Sequence, residues 1–400
     1  MKAVMNLTDQ TRVILPGQTI GIIGGGQLGR MMALAAKSCG FYIAVLDPVK
    51  GSPCGQVSDI EINAAYDDEN ALNQLAKISD VITFEFENID ADALDTIRNA
   101  AFIPQGTDIL RITQNRILEK QAIEQSGVSV APYAVVQTRT EFVEALKRIG
   151  YPSVLKTARG GYDGKGQVVI QTIEDAAGAD ELLAYGPCVL EKFLSFQKEI
   201  SVIVTRKVNG ECQVLPVAEN IHQNNILHQT IVPAGISLQA EKRAVKMAVQ
   251  LAESLQLVGT LAIEMFLISD DEILINELAP RPHNSGHFSI EACETSQFEQ
   301  HIRAICNWPL GRTTLHTNAI MINVLGQHMD KLMNAIPYHP DWKVHLYGKK
   351  EAKVNRKMGH VTVLVKQKEQ AIESLAESGV WDSSLQRNNL NREKVEVQND

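Results

Sequence analysis

Two acidic residues inside apolar strands carry the most specific chemistry in this sequence. Residues 261–268 (LAIEMFLI) and 272–279 (EILINELA) both read as strands, with Asp270 and Asp271 at the natural turn between them. If those two residues form the loop, antiparallel pairing sets Glu264 opposite Glu277. Directly opposed side chains have Cβ atoms about 4.5–5.5 Å apart, and like charges there repel. The pair therefore requires compensation. A divalent cation supplies it, since magnesium takes carboxylates, an amide oxygen and substrate phosphates. Strand alternation puts Asn276 on the opposite face unless a twist or bulge redirects it. Two other readings fit: an edge hairpin in a different register whose glutamates face water, and a carboxyl pair neutralised by a proton.

Two glycine-rich turns add anion chemistry. Residues 154–157 (VLKT) and 167–170 (QVVI) are short strands flanking RGGYDGKG at 159–166. Four glycines with Arg159 and Lys165 make a pliable, cationic flap. Its N–H groups can wrap phosphate oxygens while Lys156 and Lys165 neutralise charge. It is not a Walker loop, because no G-K-[ST] opens a helix here. A surface hairpin without a ligand would need less glycine and no lysine within its strand. Nearer the N-terminus, GGGQLG at 24–29 fits G-x-G-x-x-G between a strand and a helix, and Asp47 ends the next strand where a ribose-binding acid would sit. By itself this turn fits a dinucleotide cofactor, any phosphorylated small molecule, or a tight turn with no ligand. His283, His287 and His360 come with no local zinc-ligand pattern, so hydrogen-bonding or core roles are expected of them.

The elements that must position these residues fall into blocks. Over 1–112, strand patterns (19–24, 41–46, 81–86) alternate with a helix at 27–39, which predicts a parallel sheet covered by helices. Over 113–311, helices at 141–149 and 239–255 accompany paired strands, with an Asn209-Gly210 hairpin signal, so an α+β domain is expected. A third segment, 312–382, contains strand-like 319–324 and 361–365, and 383–400 is a polar tail. The chain has 400 residues, too many for one compact core. Its net charge of -9 argues against nucleic acid or an anionic membrane as partner, while a local cluster of Arg and Lys can still hold a small anion. No run approaches the roughly 20 apolar residues of a membrane span. Residues 1–12 lack a signal-peptide core, so the expected setting is the cytoplasm. The six scattered cysteines, without a C-x-x-C pair, read as buried thiols.

Together these features resemble the ATP-grasp enzymes and, more closely, the 5-(carboxyamino)imidazole ribonucleotide synthases, ATP-dependent carboxylases of bacterial and fungal purine biosynthesis. The resemblance covers residues 19 to 365. It is carried by GGGQLGRM at 24–31, TFEFEN at 83–88, GGYDGKGQ at 160–167, EKFLSFQKEIS at 191–201, NELAPRPHNSGH at 276–287, SQFEQHIRA at 296–304 and RKMGH at 356–360. It implies an α/β, Rossmann-like N-terminal domain, an α+β ATP-grasp domain and a small β-rich C-terminal domain. The implied reaction is the carboxylation of aminoimidazole ribonucleotide by bicarbonate through carboxyphosphate, with ATP and magnesium, in a homodimer.

The resemblance also implies residue roles. Arg116 and Lys156 would meet the ATP phosphates under the flap Gly161, Tyr162, Asp163, Gly164, Lys165, Gly166 and Gln167. Glu191, Lys192, Phe193 and Leu194 would read adenine, Glu199 would hold the ribose, and His222 would add a nucleotide contact. Asn276 and Glu277 would sit at the metal end, with Glu264 as partner acid. Gln27, Glu85, Tyr162, Asp163, Arg281, His283, Asn284, Lys349 and Arg356 are the implied substrate contacts, and Asn355 stands where glycine commonly precedes the arginine. Lys156, Lys165, Asp163 and Arg281 are the candidate catalytic groups, with Arg281 suited to a planar oxyanion such as bicarbonate. The rival readings are another ATP-grasp ligase, a nicotinamide-dependent dehydrogenase built on the N-terminal turn, and a non-catalytic nucleotide sensor.

Overall fold

The computed structural model describes residues 12–161 and 166–381. Tyr162, Asp163, Gly164, Lys165 and the expected tail at 383–400 lie outside the described residues.

The first sheet is parallel, as the alternating pattern predicts. Its order is Ile60–Ile62, Tyr42–Leu46, Thr19–Ile23, Val81–Phe84. The inner strands are apolar throughout because both faces are covered: Ile20, Ile22, Ile43, Val45 and Ile82 are fully buried. Helix Gln27–Ser38 follows the glycine turn directly, and helix Glu69–Ile78 begins at Asp68, whose side chain accepts from the Ala71 N–H.

Two antiparallel sheets follow. The smaller has the order Tyr133–Val136, Cys188–Lys192, Ser153–Thr157, Gln167–Ile170. The larger has nine strands. It runs from the edge strand Glu272–Ala279 through Gly259–Ser269, Lys198–Arg206, Ala218–Gln223 and Ile226–Val232 to Asn318–Leu325, Lys357–Val365 and Trp342–Leu346, with Cys212–Val214 paired beside Lys198–Arg206. The Asn209-Gly210 signal marks the hairpin between Lys198–Arg206 and Cys212–Val214, with Gly210 in the left-handed region at φ 92°. A second tight hairpin turns at Asn224 and Asn225, both at positive φ, the conformation of a type I′ turn. Strands from the third segment thus extend the sheet of the second, because Ile226–Val232 hydrogen-bonds to Asn318–Leu325. That pairing removes what would otherwise be an exposed edge.

Helix Gln297–Ile305 locks the first sheet to the large one. Phe298, Ile302 and Ile305 are buried against Met32, Phe41 and Ile20 of the N-terminal unit. Beside them the buried His301 ring bridges both sheets. Its Nδ1 accepts from the Thr260 N–H at 3.2 Å, and its Nε2 lies 2.8 Å from the Thr83 hydroxyl, which in turn donates to Gln105. Burial pushes this imidazole down to about 3, so the ring is neutral and one nitrogen accepts while the other donates. Trp381 ends the described chain buried, its indole N–H on the Asn323 carbonyl. All six cysteines are free, four buried and two half-buried.

Phe298→Ala should destabilise the protein by about 3–5 kcal/mol, the usual cost of emptying a buried aromatic site. Urea unfolding reads this directly, and a loss below about 1 kcal/mol would show that this helix does not hold the two sheets together.

Candidate active site

The Glu264–Glu277 end of the site is built by a hairpin with two compensating irregularities. Ser269 pairs with Glu272 across the Asp270-Asp271 turn, as a two-residue loop demands. Ile268 then bulges out of one strand and Asn276 out of the other, so the intervening pairs (Met265 with Ile275, Leu267 with Ile273) are one residue off simple register. The two shifts cancel, and Glu264 stands opposite Glu277. The bulge also decides Asn276. Alternation puts it on the far face, but as the extra residue of a bulge it joins Glu264, Phe266 and Glu277 in lining one cavity of about 430 Å³.

The electrostatics are those of a site short of positive charge. Burial, and then the Glu277 charge, push the Glu264 carboxyl up to about 7. Glu119, from helix Arg116–Gln125, is also buried beside Glu277 and is pushed up to about 8 for the same two reasons. Its Oε1 accepts the Leu278 N–H at 2.7 Å. Two opposed carboxylates and an amide oxygen facing one cavity form an all-oxygen donor set, which fits magnesium. Among the described residues no group of three or more His, Cys, Asp or Glu is arranged to hold a metal. Phosphate oxygens from a ligand would therefore have to complete the shell.

Lys156 lies on the small sheet and Lys120 on helix Arg116–Gln125. Lys156 Nζ is 3.3 Å from Glu191 Oε2, and the buried Lys120 Nζ is 3.2 Å from the same oxygen. Burial pushes Glu191 up, but Lys156 and Lys120 outweigh it and hold the carboxyl below its ordinary range. Arg116 sits 3.7 Å from Glu277 and reaches the Gly161 carbonyl at the root of the flap. The flap's other root, Gly166, takes a φ of 69° and accepts the Thr157 N–H, so the loop leaves and rejoins a tight two-stranded base. Lys192, Phe193, Leu194 and Gln167 complete this wall. Phe196 and Phe266 stack at 4.7 Å, and Glu199 contacts His222. Burial lowers the His222 imidazole, but the Glu199 hydrogen bond and charge outweigh it and favour the cation.

At the N-terminal turn, carboxylates already occupy the amides a phosphate would use. Glu85 accepts from Gly26 and, at 2.6 Å, from Gly29, while Asp47 accepts from Gly25 at 2.7 Å. The glycines are needed for this close approach: a Cβ on Gly24 would lie 2.4 Å from Glu85 Cγ. This works against the dinucleotide reading, since three of the amides a pyrophosphate would use are already taken. Gln27 opens the helix at this turn. Lys349 borders the same corner. Burial and Arg356 push its amine down to about 8, Glu85 pulls the other way, and its Nζ donates to the Lys357 carbonyl at 2.7 Å. Arg356 is exposed, with Nη1 on the Glu351 carbonyl, and Asn355 takes a φ of 64°, the left-handed conformation that a glycine would otherwise supply. Lys357, by contrast, lines the central cavity.

Between the two corners, Arg281 is held by Glu87 through Nε at 2.5 Å and Nη2 at 3.2 Å. His283 points Nε2 at Glu264 from 3.4 Å, and Asn284 lines the cavity beside it. Burial and Arg281 keep His283 neutral. His287 and His360 are buried in a ring stack with His345, away from the carboxylate pair. Sequence reasoning did not single out Glu87, Glu119, Lys120, Phe196 or Phe266. Glu87 lies within TFEFEN and Phe196 within EKFLSFQKEIS, so a motif signal existed for those two.

The chain matches the ATP-grasp domain family over residues 121–298, the ribonucleotide synthetase preATP-grasp domain over 17–114, and the phosphoribosylaminoimidazole carboxylase C-terminal domain over 319–374. It is 53% identical over 364 residues to the N5-carboxyaminoimidazole ribonucleotide synthase of Bacillus subtilis, covering 91% of this chain and 96% of that one. The chain belongs to the N5-carboxyaminoimidazole ribonucleotide synthases. A solved synthetase of this family in complex with ADP superposes with a TM-score of 0.91 at 56% identity, covering 93% of this chain and 99% of that one. A synthase from Aspergillus clavatus, solved with ADP and 5-aminoimidazole ribonucleotide, has a TM-score of 0.84 at 31% identity, covering 90% and 97%. The protein is thus an ATP-grasp ligase, and its three matched segments are those of the synthases.

The opposed glutamates predict a pH signature. The native state keeps a proton on Glu264 up to about pH 7, whereas the unfolded chain releases it near 4.5, so stability falls as pH climbs through that interval. Glu264→Gln should therefore raise the thermal midpoint of the metal-free protein at pH 8, with the gain vanishing by pH 4.5. An equal shift at both pH values would show that the pair carries no strained charge.

Proposed function

We propose that this cavity carboxylates the exocyclic amine of aminoimidazole ribonucleotide in two steps, and the pairing of Glu264 with Glu277 in a cavity shared with Lys156 is the observation that carries the reading. In the first step a bicarbonate oxygen bonds to the γ-phosphorus of ATP and the bond to the β-phosphate oxygen breaks, giving carboxyphosphate and ADP. In the second the amine nitrogen bonds to the carboxyl carbon, inorganic phosphate leaves, and the nitrogen loses a proton to give the carbamate.

Each wall has a part in this. Glu264, Glu277 and Asn276 would hold magnesium, which when bound offsets triphosphate charge. Lys156, set by the buried Glu191, would face the phosphates, and Lys165, outside the described residues, is the second candidate for that role. Phe196 and Phe266 offer an aromatic wall to adenine. The Lys192 and Phe193 amides are already bonded to the Pro132 and Pro152 carbonyls, so the Leu194 N–H is the donor left for the purine edge. Glu199 and His222 suit the ribose. Glu87 fills one edge of the Arg281 guanidinium, so bicarbonate would meet the Nη1 side rather than the Nε edge. Gln27, Glu85, Lys349 and Arg356, with His283, Asn284, Tyr162 and Asp163, would hold the ribonucleotide, the two basic groups taking its phosphate. Flap closure would exclude water from carboxyphosphate. We place the enzyme in the cytoplasm as a homodimer; among the described residues no helix is long and apolar enough to cross a membrane.

A coupled ADP assay should show release that needs both aminoimidazole ribonucleotide and bicarbonate, with formate and biotin inert. Release indifferent to the ribonucleotide would sink the assignment. Glu277→Gln should abolish turnover while leaving the fold intact. Arg356→Ala should raise KM for the ribonucleotide by about tenfold or more and leave that for ATP nearly unchanged; equal rises would remove Arg356 from the phosphate.

A further inference from the structure

Asn276 and Glu277 belong to an edge strand of the large sheet. Glu272–Ala279 is the outermost of nine strands, with a paired neighbour on one side only, and the bulge at Asn276 interrupts even that pairing. A bulged edge strand has little backbone restraint of its own. Yet a metal shell needs its donors held to within a fraction of an ångström.

Two hydrogen bonds supply the restraint on the open side, and they bracket the bulge. The Ile275 N–H donates to the Ser129 carbonyl at 2.9 Å, where Val130 makes an isolated bridge to the strand. The Leu278 N–H donates to Glu119 Oε1 at 2.7 Å. The first is ordinary backbone pairing. The second replaces a neighbouring strand with one buried side chain, 2% exposed, delivered from helix Arg116–Gln125. The same helical turn carries Arg116, which faces Glu277, and Lys120, which faces Glu191. The helix therefore touches the metal strand and the lysine wall at once.

We propose that Glu119 is a positioning residue for the metal end of the site. It stands in for the missing strand at Leu278 and so fixes the bulge that turns Asn276 and Glu277 into the cavity. The role needs an acceptor oxygen and not a charge. This rests on the metal reading of Glu264 and Glu277 given above.

The test is direct binding of Mn2+ in the presence of ADP, followed by the electron paramagnetic resonance of free Mn2+, on the full chain. Glu119→Ala should weaken Mn2+ binding about tenfold, the effect of one buried hydrogen bond. Glu119→Gln, whose amide oxygen can accept the same N–H, should stay within about threefold of the parent. In turnover, Glu119→Ala should raise KM for the magnesium–ATP complex and leave KM for the ribonucleotide unchanged. Unaltered Mn2+ binding in Glu119→Ala overturns the proposal, and so does a Glu119→Gln protein as weak as Glu119→Ala, since charge would then be the cause. If Glu119→Ala does not fold, Glu119→Asp serves, its side chain too short to reach; hydrogen exchange at the Leu278 amide should then quicken, and unchanged protection overturns the idea. Failure of the parent protein to hold Mn2+ with ADP would instead strike the metal reading itself.

Discussion

Two carboxylates facing each other across a strand pair are a standing cost to this fold, and much of the site can be understood as its management. The charge offsetting these acids is thin: Arg116 reaches Glu277 only at 3.7 Å, and the His283 ring 3.4 Å from Glu264 is neutral. Left alone, the pair relieves itself by keeping a proton on Glu264. A stability-driven design would replace one glutamate by an apolar residue, as the flanking positions already are. Their persistence makes sense if a cation and a triphosphate regularly arrive to use them.

The same logic divides the cavity into zones of sign. Glu264 and Glu277 occupy the hairpin of the large sheet and Lys156 and Lys192 the small one, with Lys357 reaching the cavity from the large sheet. A triphosphate carrying a divalent ion is complementary to both walls simultaneously, whereas a bare dinucleotide would match neither. At the other corner the glycine turn is electrically closed, because Glu85 and Asp47 consume the amides of Gly25, Gly26 and Gly29. A helix N-terminus is an anion site only while its N–H groups are unclaimed. Here the anion is part of the chain.

What the sequence disclosed, and what it withheld, follows from the range of the interactions. The parallel sheet, the flap base and the Glu264–Glu277 pairing were legible because each is set by local pattern and turn length. The register came out right through the cancellation of two bulges, which no alternation rule contains, and the bulge at Asn276 is the redirection that the sequence reading leaves open. Glu119 and Lys120 looked like ordinary charges on a helix. Their roles depend on partners far along the chain, Leu278 lying 159 residues from Glu119, and only the fold brings them together. The joining of the C-terminal strands to the large sheet was likewise invisible, since strand pairing between distant segments leaves no periodic trace. Asn355 was a misleading departure: the backbone conformation is what matters there, and asparagine adopts it nearly as well as glycine.

On the proposed function, the two half-reactions would meet where the hairpin joins the N-terminal unit. The metal hairpin ends at Ala279, and the chain immediately docks on the N-terminal unit, with Gln105 reaching the Pro280 carbonyl and Glu87 gripping Arg281. Glu87 comes two residues after Glu85, the acid that caps the glycine turn. A single short segment, 85–87, therefore sets one carboxylate at the glycine turn and the other on Arg281 in the central cavity. An amine held at the first corner and a carboxyl group activated at the second must both approach this segment. His301 and Phe298 hold the two sheets at fixed separation behind it. On that reading, the distance the activated carboxyl group would cross is set by packed core.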